Sequence, residues 1–462
     1  MALPKFISFF QALDTKQIHH FKKYALTCVG AETEAYGVLD YLAEDDNWRN
    51  QYPGNEELAK LCLAGGSQKT FLNYLSMLYD IAQEWMALDQ LRKNQYEQDI
   101  LVQRWLNRRG LHQQAEQVRA KVLRKLDEEK GEDYKLAMYR SAVHFEYLFC
   151  NNPDMYEYRE EDYLEMIQGF DAYYTAKMTL MMCEVHSFEK VFHKDMGPLL
   201  QHMQSKTHLL HNSRMAELAR LAYKMKAEDD FHALKQLMDA ILNGELLEGS
   251  LMHRVIVRYT VASGKQLWSL GKEVDTKKVG ALVDYGLSTG VYSDDGMLAP
   301  PVFHNMVVTL SQVYSEKELL AFVKKWSKSV DERYQDAAAE IGKAQVYFYF
   351  GKYHLILDHT NVGNMSVNQR YVAQGLDLIA GFEDRLKKPD QYQRYVKNFT
   401  NYIKYNRDKL SANTLEKYRN LYRLLRDIDQ KKGKLNIADY QPIYYRKYAL
   451  QCLEKKNQDY TS

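Results

Sequence analysis

Apolar side chains along this chain recur at helical spacing. Phe6, Phe9, Phe10 and Leu13 fall three and four residues apart or side by side, the intervals that gather side chains on one helical face. Asp14 then offers a side-chain acceptor where a second helix is due to begin, which predicts a helix over 15–28. A third is predicted over 33–43. The cleanest pattern lies over 67–91, where Phe71, Leu75, Leu78, Ala82 and Trp85 alternate steps of four and three and form one apolar seam. Together these elements predict a compact helical domain over 1–93 that caps the rest of the chain.

Beyond it the helical spacing continues with few interruptions. The chain has 8 prolines, Pro4, Pro53, Pro153, Pro198, Pro300, Pro301, Pro389 and Pro442, and each falls between helix-patterned stretches. Proline lacks a backbone donor and clashes one turn back, so these positions mark where helices stop or start. The pattern predicts a train of antiparallel helix pairs, divided into regions over 94–300, 301–390 and 391–462. Two further breaks are expected, an acidic connector over 151–162 and a Gly- and Pro-containing segment over 293–302. Gly110 is placed to end a helix, and Ala115 sits where two paired helices must approach closely. The same logic is clearest at Ala344, Tyr347, Gly351 and Tyr353.

In that stretch a small residue, a tyrosine one turn later, and a glycine followed two residues on by an aromatic side chain resemble a tetratricopeptide repeat. Ala222 and Phe231 suggest a degenerate further copy. Ile356 stands where such repeats usually carry alanine, and the repeats' proline is missing. The layout is also similar to a group of bacterial tyrosine-rich helical-repeat proteins with no established activity, through the segments at 13–24 and 71–78 and the turn at 351–353. The resemblance implies an all-α fold, a TPR-like α-solenoid of antiparallel helix pairs with an N-terminal helical cap. It further implies a protein that works by offering surface to a protein or peptide partner.

Composition fits this expectation. Hydrophobic residues make up 46% of the 462 positions and charged residues 27%, enough for a buried core and a solvated surface. The formal net charge is +1, which gives no overall pull toward nucleic acid or an anionic membrane. The ends differ in sign: residues 1–100 hold 9 Lys and Arg against 14 Asp and Glu, and residues 381–462 hold 19 against 10. Five dispersed cysteines form no metal or disulfide motif and are expected to be buried thiols. No stretch is apolar enough to predict a membrane span, and the expected location is the cytoplasm.

Candidate chemistry is sparse. His186, Glu189 and His193 fall at i, i+3 and i+7, a spacing that directs three metal-competent side chains to one helical face, although a packing or solvated face gives the same spacing. His208 and His211 repeat that ambiguity. The segment at 64–70 has glycines and Lys69 but places Gln68 where a phosphate loop needs glycine, so no nucleotide or other cofactor is expected. The segment at 58–75 also reads as helix, glycine turn, helix, with Ser67, Gln68, Lys69 and Asn73 outward, as in a DNA-reading module. In the C-terminal region Arg394, Lys397, Lys404, Arg407, Arg419 and Arg423 interleave with tyrosines, a pattern that suits a core stripe with a basic outer face and also nucleic-acid contact. The sequence therefore predicts a non-catalytic protein-interaction scaffold, with a nucleic-acid-associated regulator as the alternative.

Overall fold

The computed structural model describes residues 3–44, 48, 52–63, 67–149, 160–192, 194–207, 213–269, 272–294, 296–407, 412–430, 433 and 435–461. They fall into two compact units, one drawn from residues 1–123 and 146–157 and the other from 124–145 and 158–462. The fold is all-α apart from one short hairpin. Among the described residues no helix is long and apolar enough to cross a membrane.

The first unit is organised around one long helix. Helices α1 (Lys5–Gln11), α2 (Thr15–Val29), α3 (Glu34–Glu44) and α4 (Asn55–Cys62) all pack on α5 (Gln68–Arg92). At 1.5 Å of rise per residue α5 is about 37 Å long. Asp14 starts α2 through a capping box: its carboxylate accepts from the Gln17 backbone at 2.7 Å, and the Gln17 side chain accepts from the Asp14 backbone at 3.0 Å. Ser67 caps α5 with a single bond, its hydroxyl accepting from the Thr70 backbone. The seam Phe71, Leu75, Leu78, Ala82 and Trp85 is buried throughout, facing Phe6, Phe10 and Phe21. Phe21 meets Trp85 edge-on, with ring centroids 5.6 Å apart. Helix α6 (Gln95–Arg108) follows, and α7 (His112–Glu128) and α8 (Tyr134–Leu148) come next in the chain.

The second unit continues with α9 (Glu160–Phe192), α10 (Gly197–Thr207), α11 (Arg214–Ala227), α12 (Phe231–Leu242), α13 (Leu251–Ser269) and α14 (Thr276–Ser288). After a hairpin of β1 (Ser293–Asp294) and β2 (Met297–Leu298) come α15 (Pro300–Leu310), α16 (Glu316–Trp326), α17 (Gln335–Tyr349), α18 (Val367–Glu383), α19 (Pro389–Tyr405), α20 (Ala412–Asp429) and α21 (Arg446–Thr461). Each helix from α11 to α20 packs on its neighbours in sequence, or on the next but one. Helix α20 also packs back on α9. The segment expected as a simple break at 293–302 folds into the hairpin, turned by Gly296 at φ +80°, before Pro300 opens α15 at its first position.

Two apolar cores fill this unit, one reaching from Tyr134 to Val346 and the other from Ala344 to Leu453. The second is rich in tyrosine. Tyr418, almost fully buried, lies 4.6 Å from the Tyr371 ring and 4.3 Å from the Tyr444 ring, centroid to centroid. Gly375 on α18 makes room for it: a β-carbon there would stand 2.7 Å from Tyr418 Cε1. With rings on both sides, Tyr418 cannot retreat. Gly375→Ala is expected to lower stability by about 1–3 kcal/mol in urea unfolding, the overpacking cost outweighing the gain in helix propensity. An unchanged or higher unfolding midpoint would mean that the two helices do not approach this closely.

Candidate functional site

The repeat-turn residues named from the sequence occupy these positions. Gly110, at φ +72°, follows the end of α6, and Ala115 is buried on α7. Ala344 is fully buried on α17, the Tyr347 ring lies 5.3 Å from the His359 ring, and Gly351, at φ +72°, closes α17. Tyr353 then opens a 3-10 helix, Tyr353–Asp358, that buries Ile356 completely. The large side chain at 356 fills the core beside a short, tight segment, and regular α-helix resumes only at α18.

Arg394, Lys397 and Lys404 on α19, Arg407 beyond its end, and Arg419 and Arg423 on α20 are all exposed. The tyrosines between them are divided: Tyr392 is buried, the Tyr402 hydroxyl donates to the Val367 carbonyl at 3.0 Å, and Tyr405 is exposed. Helix α4 packs on α5 with Gln68, Lys69 and Asn73 outward. His186 Nδ1 lies 3.4 Å from Glu189 Oε2; His193, His208 and His211 lie outside the described residues, as does most of the connector at 151–162. Among the described residues no group of three or more His, Cys, Asp or Glu is placed to hold a metal ion. Cys183 and Cys452 are buried as expected, whereas Cys28 is exposed.

Three arrangements were not legible beforehand. His144 on α8 lies 3.1 Å from Asp162 and 3.0 Å from Glu165, both on α9. His304 on α15 is buried with Nδ1 2.9 Å from Gln345 Oε1, and burial pulls its pKa down to about 4, so the ring is neutral. The third is a pair of lysines, each held by a polar or aromatic partner distant in sequence. Helix α13 sends the Lys265 ammonium to Asn305 Oδ1 on α15, 2.8 Å away. Helix α20 buries Leu415, Tyr418 and Leu421 and presents Lys417 between them, its ammonium 5.6 Å from the centre of the Tyr444 ring.

Lys265, Lys417, Tyr349, Tyr444 and Tyr445 all keep part of their surface accessible, and Asn305 is exposed. Burial, helped by the like charge of Lys417, pulls Lys265 down to about 8, and burial lowers Lys417. Among the described residues neither ammonium has a carboxylate within ion-pair distance. Lys352 and Lys343, by contrast, pair with Glu316 and Glu340 at 2.8 and 2.6 Å. One signal in the sequence pointed here: Leu251–Ser269 carries Arg254, Arg258 and Lys265 and not one acidic residue.

The chain matches no protein-family model, no curated protein and no solved structure.

Asp377 on α18 is the acidic counterpart of these perturbed groups. Its carboxylate accepts from the Thr360 hydroxyl, and burial raises its pKa to about 6 against an ordinary value of about 3.9. Above pH 6 the side chain is ionised in both folded and unfolded chains, so the folded state bears the full cost of the buried charge; below about 4 it is neutral in both and the cost disappears. Asp377→Asn, which keeps an acceptor for Thr360, is therefore expected to stabilise the protein by about 1–3 kcal/mol at pH 7. That advantage should shrink as pH falls through 6. Urea titrations of both proteins across this range check it, and an advantage that does not depend on pH would contradict it.

Proposed function

We propose that the protein is a non-catalytic interaction scaffold, a TPR-like solenoid of helix pairs that docks a protein partner. One observation carries this reading. On α9, Ala172, Ala176, Leu180 and Cys183 are buried, while Ile167, Phe170, Tyr174 and Met181 line the opposite face. Ile167, Tyr174 and Met181 are spaced by seven, and Ile167, Phe170 and Met181 are 51%, 57% and 49% exposed. A seven-residue apolar spacing on an open helical face is the pattern that receives a second amphipathic helix. Contiguous apolar surface of this kind marks interaction sites on proteins.

The nucleic-acid reading rests on the basic side chains of α19 and α20, of which Arg394, Lys397, Lys404 and Arg419 are all exposed. The two readings separate by salt, because phosphate contacts weaken steeply with ionic strength and apolar docking does not.

A triple variant, Ile167→Ser, Phe170→Ser and Met181→Ser, removes exposed apolar area and leaves the buried face intact. It should melt at the temperature of the parent and bind its protein partner at least about tenfold more weakly, the cost expected when apolar anchors are truncated. Photo-crosslinking from position 174, followed by binding of the captured protein to both purified chains, measures this. Equal affinity for parent and variant, or affinity that falls steeply with salt, would remove the scaffold reading.

A further inference from the structure

Helix α12 meets the segment that leads into α14 around a cavity of about 210 Å³. One face of α12 supplies much of its lining. Phe231, Leu234 and Met238 fall at i, i+3 and i+7; Leu234 and Met238 are buried, whereas Phe231 is 44% exposed. The other segment contributes Val274, whose place is set by the backbone: its N–H donates to the Lys272 carbonyl at 3.0 Å, and the Lys272 N–H donates to the Leu267 carbonyl at 3.1 Å. Charged groups of both signs share the lining. Lys278 is already matched by the Asp239 carboxylate, and Asp275 caps α14, accepting from the Lys278 backbone N–H at 3.1 Å. Lys235 and Glu273 differ from these. Both are exposed, and among the described residues neither side chain is in an ion pair or a hydrogen bond. They line one cavity without pairing, so an ammonium and a carboxylate stand free beside an apolar recess.

We propose that this cavity binds a free α-amino acid with a large apolar side chain, packed against Phe231, Leu234 and Met238, with its carboxylate at the Lys235 ammonium and its ammonium at the Glu273 carboxylate. Size and charge set the class. An apolar cavity of about 150 Å³ holds a benzene molecule, so this one takes an aromatic or branched side chain and leaves room for the α-carbon. The Phe231 ring and the Met238 thioether are adaptable partners for either shape. A fatty acid matches Lys235 and leaves Glu273 unmatched; an amine does the reverse. A residue inside a peptide carries neither charge next to its α-carbon, and a chain terminus carries one. The free zwitterion matches both. This site is separate from the apolar face of α9 and does not depend on the scaffold reading.

Calorimetric titration of the full chain with L-phenylalanine, L-leucine and L-alanine tests this. Saturable one-to-one binding of phenylalanine and leucine is expected in the millimolar range or tighter, and none of alanine, which lacks the apolar bulk. N-acetyl-L-phenylalanine, without the ammonium, and L-phenylalanine amide, without the carboxylate, should each bind at least about threefold more weakly than phenylalanine, as loss of one exposed charge pair implies. Lys235→Gln should weaken phenylalanine to the same degree and leave the amide as it is in the parent. Glu273→Gln should do the same for phenylalanine and spare the N-acetyl compound. Both side chains are exposed, so both variants should melt with the parent. Lys324→Gln, exposed on α16, should leave every affinity unchanged. No saturation by phenylalanine or leucine, alanine binding as tightly as they do, or parent-like affinity for phenylalanine in both variants would each overturn the assignment. N-acetyl-L-phenylalanine binding as tightly as phenylalanine would also overturn it, in favour of a chain terminus as the ligand.

Discussion

Tyrosine hydroxyls that reach a partner on another element tie the C-terminal part of this protein together, although the buried Tyr371 hydroxyl has none among the described residues. The Tyr440 hydroxyl donates to Asp427 at 2.9 Å, that of Tyr448 to Glu383 at 2.6 Å, and that of Tyr402 to the Val367 carbonyl at 3.0 Å. Each bond joins two different elements, so each ring fixes both a packing distance and an orientation. Leucine in these places would fill the space and specify much less. Asp427 ties α20 to the segment that leads into α21, Glu383 ties α21 to α18, and between them the Tyr444 backbone N–H donates to the Lys417 carbonyl at 3.4 Å.

Much of the helical framework was readable because its causes are local. The capping pair Asp14 and Gln17, the seam from Phe71 to Trp85, and the prolines that open α15 and α19 all act within a few residues of where they stand. The tyrosine stripe of α19 and α20 could be read as core with a basic outer face, since burial alternates at helical period. The hairpin at 293–298 was legible only as an interruption: two residues per strand are too few to show alternation. The 3-10 segment after Gly351 was hidden for another reason. Ile356 looks like a departure from a repeat pattern until its complete burial shows what it fills.

The contacts and faces that bear on function were less legible, because they depend on pairs distant in the chain. Nothing near Lys265 in sequence announces Asn305, and nothing near Lys417 announces Tyr444. The exposed stripe of α9 was hidden because apolar residues run round the helix; burial, known only from the fold, separates Ala172, Ala176, Leu180 and Cys183 from Ile167, Phe170 and Met181.

Lysine pairing gives the strongest internal comparison. Across both units lysines find carboxylates readily: Lys60 with Glu56, Lys93 with Asp89, Lys121 with Asp99, Lys343 with Glu340 and Lys352 with Glu316. Exposed pairs of this kind contribute little each. They do show that acidic residues are at hand wherever charge compensation is cheap to arrange. Lys265 instead takes the Asn305 amide oxygen at 2.8 Å, and Lys417 lies against the Tyr444 ring. Local rules broken without a structural gain tend to mark positions kept for another purpose.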